Sequence, residues 1–176
     1  MKKTSKLLSL ITISLLIILS LSLFSYAKVY TGEQGNITWT VDLNRSSMVI
    51  SGTGDMENYI NYENTPYSRF LPVIKTLTVN EGITSVGNCA FMYALNLESI
   101  NLPSSVEYIG STAFSSCRKL DGVALPSNLT HLGEYAFSEC GKLKNIFCRF
   151  SESEWVEPEV GAENTPYESV NISFDN

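Results

Sequence analysis

The chain repeats itself every 23 residues between positions 74 and 150, and this period limits its fold more than any other feature. An aliphatic residue stands at Ile74, Leu97, Leu120 and Leu143, and the neighbouring apolar columns keep the same step. A period of about 20 to 29 residues is typical of stacked repeats, in which one unit cannot bury its apolar side without neighbours above and below it. The sequence therefore predicts three full units and a partial fourth.

Each unit contains two short alternations of apolar and polar residues, as at 97–102 and 106–109. Such alternation predicts two short strands, each with one buried face, because successive side chains of a strand point to opposite sides. Proline closes the first strand at Pro103 and Pro126, where it cannot donate to a ladder. A glycine closes the second strand, and we expect it to take a positive φ in a sharp turn, at Gly87, Gly110 and Gly133.

An Ala-Phe pair follows each of these glycines. The small residue allows a close backbone approach, and the ring can fill the space between two walls of strands. We expect this bend to form a single helical turn or a 3₁₀ segment. We also expect the rings to stack as the centre of the core, at Phe91, Phe114 and Phe137.

The unit L-x-x-I-x-L-P-x-S-V-x-x-I-G-x-x-A-F-x-x-C at residues 97–117 resembles the BspA-type leucine-rich repeat, and it recurs with small changes at 120–140. The segment 36–56 resembles the β-hairpin cap that often precedes such repeats. The resemblance implies an α/β repeat solenoid dominated by β structure, with an N-terminal hairpin cap and a C-terminal cap. It also implies a secreted or surface-displayed protein that binds other macromolecules, and it implies no catalytic residues.

Four segments are predicted along the chain. Residues 1–27 read as a signal peptide, with lysines at the start, an apolar stretch, and small residues before a cleavage site after Ala27. An uncleaved membrane anchor is the alternative, because the apolar run is long. Residues 28–73 form an N-terminal β cap with a connecting loop, 74–150 the repeats, and 151–176 an acidic C-terminal cap. The Met-Lys-Lys start is typical of a bacterial protein, secreted or held at the cell surface.

The charge argues against polyanionic partners. The formal net charge is −6, and removal of residues 1–27 would take away three lysines and no acids. Such an acidic chain would be repelled by nucleic acid and by anionic lipid, so neither is an expected partner. A calcium site among the acids of 151–176 is the alternative to a solvated end, but their spacing matches no metal loop, and we predict no metal.

No catalytic constellation or cofactor motif is visible. The chain has one histidine, His131, which lacks both a second imidazole for a metal pair and a recognisable nucleophile setting. Acidic residues such as Asp121 and Glu134 have no partner that the period would place opposite them across a bond. We therefore predict that the protein is not an enzyme and uses no cofactor.

The four cysteines raise the question of disulfides. Cys117 and Cys140 share one column, and neighbouring strands are about 4.8 Å apart, so a bridge is sterically allowed. Ala94 fills the same column in the first unit, which favours free thiols in a packing role, and Cys89 and Cys148 stand at other positions. No CxxC pair is present, so zinc binding and thioredoxin-type chemistry are poorly supported.

The predicted activity is therefore binding, through protein interaction or adhesion at the cell surface. The partner would be an extracellular or host protein, and a glycan is the alternative. A carbohydrate or cell-wall module and a purely structural protein are the competing functions. Rigid, displayed rings suit contacts because they give area at little entropy cost. The candidate binding residues are Tyr108 and His131 on second strands, Tyr135 in a bend, and Phe147 on a first strand.

A five-residue motif, Glu-Asn-Thr-Pro-Tyr, occurs at 63–67 and again at 163–167, once on each side of the repeats. A shared binding signature is one reading. We favour turn chemistry, in which Asn and Pro set a bend and Tyr packs on the end of the core.

Overall fold

The structure is a computed structural model that describes residues 28–148, 159–160 and 171–174. The predicted signal peptide, residues 1–27, lies outside the described residues. So does most of the predicted acidic cap, including the second copy of the five-residue motif.

The described residues form short strands joined by turns. The strands are β1 (Val29–Gln34), β2 (Ile37–Asp42), β3 (Ser47–Gly52), β4 (Gly54–Asp55), β5 (Thr76–Val79), β6 (Ile83–Val86), β7 (Ser99–Asn101), β8 (Tyr108–Ile109), β9 (Gly122–Leu125), β10 (His131–Leu132), β11 (Asn145–Cys148), β12 (Glu159–Val160) and β13 (Asn171–Phe174). Two 3₁₀ helices, Tyr62–Asn64 and Ser68–Phe70, lie before the repeats. The expected dominance of β structure is confirmed, but the described part of the chain contains no α-helix.

The strands pair into three sheets. Strands β1, β2 and β3 are antiparallel, and β3 then pairs in parallel with β5, which pairs with β7. A second sheet is parallel throughout, in the order β12-β10-β8-β6-β4, and a third is β13-β11-β9. The pairing joins residues one period apart, such as Leu77 with Ile100 and Val123 with Ile146. The repeat columns seen in the sequence are therefore columns of the sheets.

The core lies between the first strands and the second strands of the units. In β9, Val123 and Leu125 are buried while Gly122 and Ala124 are partly exposed, which is the alternation that the sequence predicts. In β10, Leu132 is fully buried and His131 is half-buried. The strands β5 to β10 thus each contribute at least one buried apolar side chain to the same interior.

The bends do not form helical turns or 3₁₀ segments, so that expectation is wrong. The backbone N–H groups of a bend donate in turn to a carbonyl of the same bend and to a carbonyl of the next unit. The N–H of Ala90 donates to the carbonyl of Gly87 three residues back at 3.3 Å, while that of Phe91 donates to the carbonyl of Ala113 in the next unit at 2.8 Å. A helix would need consecutive local bonds. Two residues of each bend have a left-handed backbone, which prevents such a series. These residues are Cys89, Tyr93, Thr112, Ser116, Tyr135 and Glu139.

The expected ring stack is confirmed. The ring centroids of Phe91 and Phe114 are 5.5 Å apart with planes 9° from parallel, and those of Phe114 and Phe137 are 5.4 Å apart at 8°. All three side chains are fully buried. Tyr67 extends the stack, because its ring packs on Phe91 at 5.7 Å. In the first copy of the five-residue motif, the tyrosine therefore packs on the end of the core, as the favoured reading expects.

Candidate interaction surface

Two of the predicted binding residues form a stacked pair on the second sheet. Tyr108 in β8 and His131 in β10 are direct partners in the parallel register, one period apart. Their ring centroids are 4.5 Å apart and the planes are parallel within 1°. Both side chains are half-buried, so one ring face or edge of each remains available to solvent. The spacing follows from the distance between neighbouring strands, about 4.8 Å.

The backbone beneath this pair is held by hydrogen bonds between units. The N–H of Thr130 donates to the carbonyl of Glu107 at 2.8 Å, and the hydroxyl of Thr130 donates to the same carbonyl at 3.0 Å. One strand further along the sheet, Ser85 occupies the same column and is buried. The two rings thus project from hydrogen-bonded strands and not from a loop.

The other two predicted residues lie elsewhere. Tyr135 is in the bend after β10, has a φ of 57° and leaves 37% of its side chain exposed. Phe147 is in β11 of the third sheet, is 47% exposed, and its ring reaches over Gly122 of the neighbouring strand. The structure therefore brings Tyr108 and His131 together on one sheet and sets Phe147 on another.

A cationic and aromatic cluster at the other end of the chain was not predicted. The guanidinium of Arg69 lies 4.5 Å from the ring centroid of Phe70 and 5.3 Å from that of Tyr30, and the two rings are 4.9 Å apart. Such contacts are favourable because the ring face carries partial negative charge. Tyr30 and Phe70 are 40 positions apart in the chain, so no periodicity joins them.

Charged side chains from successive units lie next to one another along one side of the repeats. Lys75 and Glu98, one period apart, form an ion pair at 3.4 Å with both side chains about half exposed. Glu98 also borders an open groove with residues of the later units: Lys119, Asp121, Lys142 and Lys144. Exposed pairs of this kind contribute little to stability because water and salt screen them. We read the groove as a solvated face.

Cys89, Cys117 and Cys140 are free thiols, as favoured from the sequence. Cys117 and Cys140 are buried, and each thiol donates to a backbone carbonyl of the preceding unit: Cys117 to Phe91 at 3.5 Å and Cys140 to Phe114 at 3.2 Å. The contact with the Cys140 thiol, followed by burial, raises the pKa of Cys117 well above its usual value. Cys117 is therefore a neutral packing group and not a reactive thiolate.

Within the described ranges, no three His, Cys, Asp or Glu side chains converge in a way that could hold a metal ion. In the same ranges, no helix has the length and apolar character needed to cross a membrane.

Residues 69–157 match the family described as the BspA type leucine-rich repeat region, in 6 copies. This is just over half of the chain. The chain belongs to the BspA-type leucine-rich repeat family. The resemblance read from residues 97–117 and 120–140 is thereby confirmed. Proteins of this family are typically binding modules without catalytic activity, and leucine-rich repeat domains generally mediate protein interactions.

Two solved structures of bacterial leucine-rich repeat proteins are similar to this BspA-type chain. One is from Eubacterium ventriosum, with a TM-score of 0.60, 22% identity, and coverage of 84% of this chain and 44% of that one. The other is from T. pallidum, with a TM-score of 0.52, 17% identity, and coverage of 75% of this chain and 64% of that one. The chain thus spans less than two thirds of either protein. No curated protein matches the sequence.

Proposed function

We propose that this chain is an exported leucine-rich-repeat binding module that mediates protein–protein interaction or adhesion at the cell surface. Residues 1–27 would be its signal peptide, 28–73 an N-terminal β cap with a connecting loop, 74–150 the repeats, and 151–176 an acidic C-terminal cap. The basic start and the small residues before position 28 support export. Family membership supports a binding role.

The repeats would form one solenoid with a continuous core. Three observations support this arrangement: parallel sheets whose register steps by one period, hydrogen bonds from each bend to the next, and a single stack of rings through the centre. A stack of this kind leaves only its outer surface available to bind a partner. Binding residues are therefore sought among exposed side chains on the sheets and bends.

The observation that carries the functional proposal is the parallel stacking of Tyr108 on His131 at 4.5 Å. Two rings held by a hydrogen-bonded ladder lose little freedom when a partner covers them, and tyrosine is among the residues that most often contribute large binding energies in protein interfaces. Tyr135 and Phe147 would display further exposed rings, Tyr135 from the bend after β10 and Phe147 from the third sheet, away from the pair. The partner would be an extracellular or host protein.

Loss of the ring pair should remove most of the affinity. We expect the variant carrying Tyr108→Ala and His131→Ala to bind the partner more weakly by about 2 kcal/mol, or roughly 30-fold. The full chain, labelled and applied to a protein array, identifies the partner, and titration of both chains against that partner gives the ratio of dissociation constants.

The matched control is Tyr93→Ala. Tyr93 is also a tyrosine on the outside of the repeats, 39% exposed, but its ring packs against Tyr62 with the planes 59° apart, and it lies outside the pair. Its replacement should leave the affinity within a few-fold of the parent chain. Equal affinity of the parent and the double variant would refute the assignment of the binding surface.

A further inference from the structure

Strand β1 is the edge of its sheet within the described ranges, and its hydrogen bonds to β2 use only alternate residues. The two strands pair antiparallel over six residues. The amide of Leu43 donates to the carbonyl of Lys28 at 3.0 Å, and these two residues continue the register of the pair. Bonded and non-bonded pairs alternate in an antiparallel ladder. The bonded pairs therefore fall at Tyr30, Gly32 and Gln34.

The other residues of β1 point their backbone groups away from β2. These are Val29, Thr31 and Glu33, which are all exposed. Among the described residues, no partner contacts their N–H and C=O groups. Such a row of groups is a template for another strand, and proteins usually block it with lysine, proline or a bulge. Strand β1 has none of these features, since its sequence is VYTGEQ and its register with β2 is unbroken.

Opposite charges from the loop before the repeats lie near the two ends of β1. The guanidinium of Arg69 is 5.3 Å from the ring centroid of Tyr30, and the carboxylate of Glu57 accepts from the side-chain amide of Gln34. Arg69 and Glu57 are exposed, and neither forms an ion pair with another described residue. Tyr30 and Gln34 are four positions apart, so they share one face of β1. The edge thus has a cation near one end and an anion near the other.

We propose that two copies of this chain associate through β1, which pairs antiparallel with β1 of the second copy about a two-fold axis. One register joins all the outward-pointing groups of both edges. It sets Thr31 against Thr31 of the second copy and Val29 against Glu33, so no like charges face each other directly. The contact uses other residues than the Tyr108–His131 pair, and a dimer would therefore present that pair twice.

The charges favour a second copy over an unrelated strand. In this register Gly32 of the second copy lies directly opposite Tyr30, and Gln34 of the second copy is a diagonal neighbour at about 7 to 8 Å. Arg69 beside Tyr30 is thereby brought towards Glu57 beside that glutamine. The two-fold axis repeats the contact at the other end of the edge. Two identical edges thus match each cation with an anion, as a closed symmetric interface requires.

Sedimentation equilibrium tests the association, on the chain purified in the form that an exporting bacterial host releases. We expect monomers and dimers in exchange at about 10 to 100 μM, because a single strand edge is a small interface. Thr31→Pro removes an outward N–H at the two-fold axis and keeps the hydrogen bonds of β1 to β2. It should raise the Kd of the dimer at least about tenfold, with an unchanged circular dichroism spectrum.

The matched control is Thr31→Val, which keeps the N–H and should leave the Kd within a few-fold of the parent chain. A parent chain that stays monomeric over this range of concentration would overturn the proposal and leave the edge to a strand of another protein. So would a Thr31→Pro variant that dimerises as tightly as the parent.

Charge reversal tests the two-fold geometry. Arg69→Glu and Glu57→Arg each place like charges at both contacts of a dimer, so each variant alone should have a Kd about tenfold higher at low salt. An equimolar mixture of the two variants should associate within a few-fold of the parent chain, since both contacts then join opposite charges. If the mixture associates no more tightly than either variant alone, the proposed antiparallel arrangement is wrong.

Discussion

Replacement of Phe114 by alanine should lower the free energy of unfolding by about 3 to 5 kcal/mol. The side chain is fully buried and lies between Phe91 and Phe137 in the ring stack. Its loss removes apolar burial and leaves a cavity that two rigid neighbours cannot fill. Because domains are stable by only about 5 to 15 kcal/mol, this single change would remove a large part of the total.

The matched control is Phe147→Ala, which deletes the same atoms at the surface. Phe147 is 47% exposed, and a surface change of this kind usually shifts stability by less than about 0.5 kcal/mol. Urea unfolding of the two variants, followed by circular dichroism, gives both values. If Phe114→Ala and Phe147→Ala were equally stable, Phe114 would not be part of a packed core.

Replacement of Gly110 by alanine should cost about 3 kcal/mol, at the upper end of the effects of overpacking. A Cβ at this position would lie 2.5 Å from the side-chain oxygen of Asn88, 2.6 Å from its backbone nitrogen and 2.8 Å from the carbonyl carbon of Gly87. Two of these three atoms belong to the backbone of the preceding unit. They can move only if the two units separate.

Gly141 provides the comparison. A Cβ there would meet no atom within 4 Å, and its φ lies outside the left-handed region. Gly141→Ala should be neutral or should stabilise the chain by about 0.4 to 1 kcal/mol, because alanine restricts the unfolded state. Thermal unfolding of both variants measures the contrast. A Gly110→Ala protein as stable as Gly141→Ala would contradict the close approach of the units.

The glycines that follow the second strands also show where the prediction from the sequence was wrong. Gly87, Gly110 and Gly133 were expected to take positive φ, but none of them does so. In the bends after these glycines, the left-handed residues are not glycines but residues such as Thr112 and Ser116. The period shows that a small residue is required at these positions. It does not show whether the reason is a positive φ or a close contact with a neighbouring backbone. Only the neighbouring unit reveals which one applies.

The repeat columns, the strands and the ring stack could be predicted because each depends on a pattern that recurs every 23 residues. The stacking of Tyr108 on His131 follows from the same columns. The contacts of Tyr30 with Arg69 and Phe70, and that of Trp39 with Tyr67, could not be predicted, since they join the unrepeated strands β1 and β2 to a loop distant in the sequence. Sites of that kind depend on tertiary contacts that no local period encodes.

Hydrogen exchange at the bends tests most directly whether the repeats form one continuous stack. The amide of Phe91 donates to Ala113 and that of Phe114 donates to Ala136, each at 2.8 Å. If the units are joined in this way, both amides should exchange only by an opening as costly as global unfolding, and as slowly as the most protected strand amides. If the Phe91 and Phe114 amides exchange at the rate of an unprotected loop, the repeats do not form the proposed solenoid.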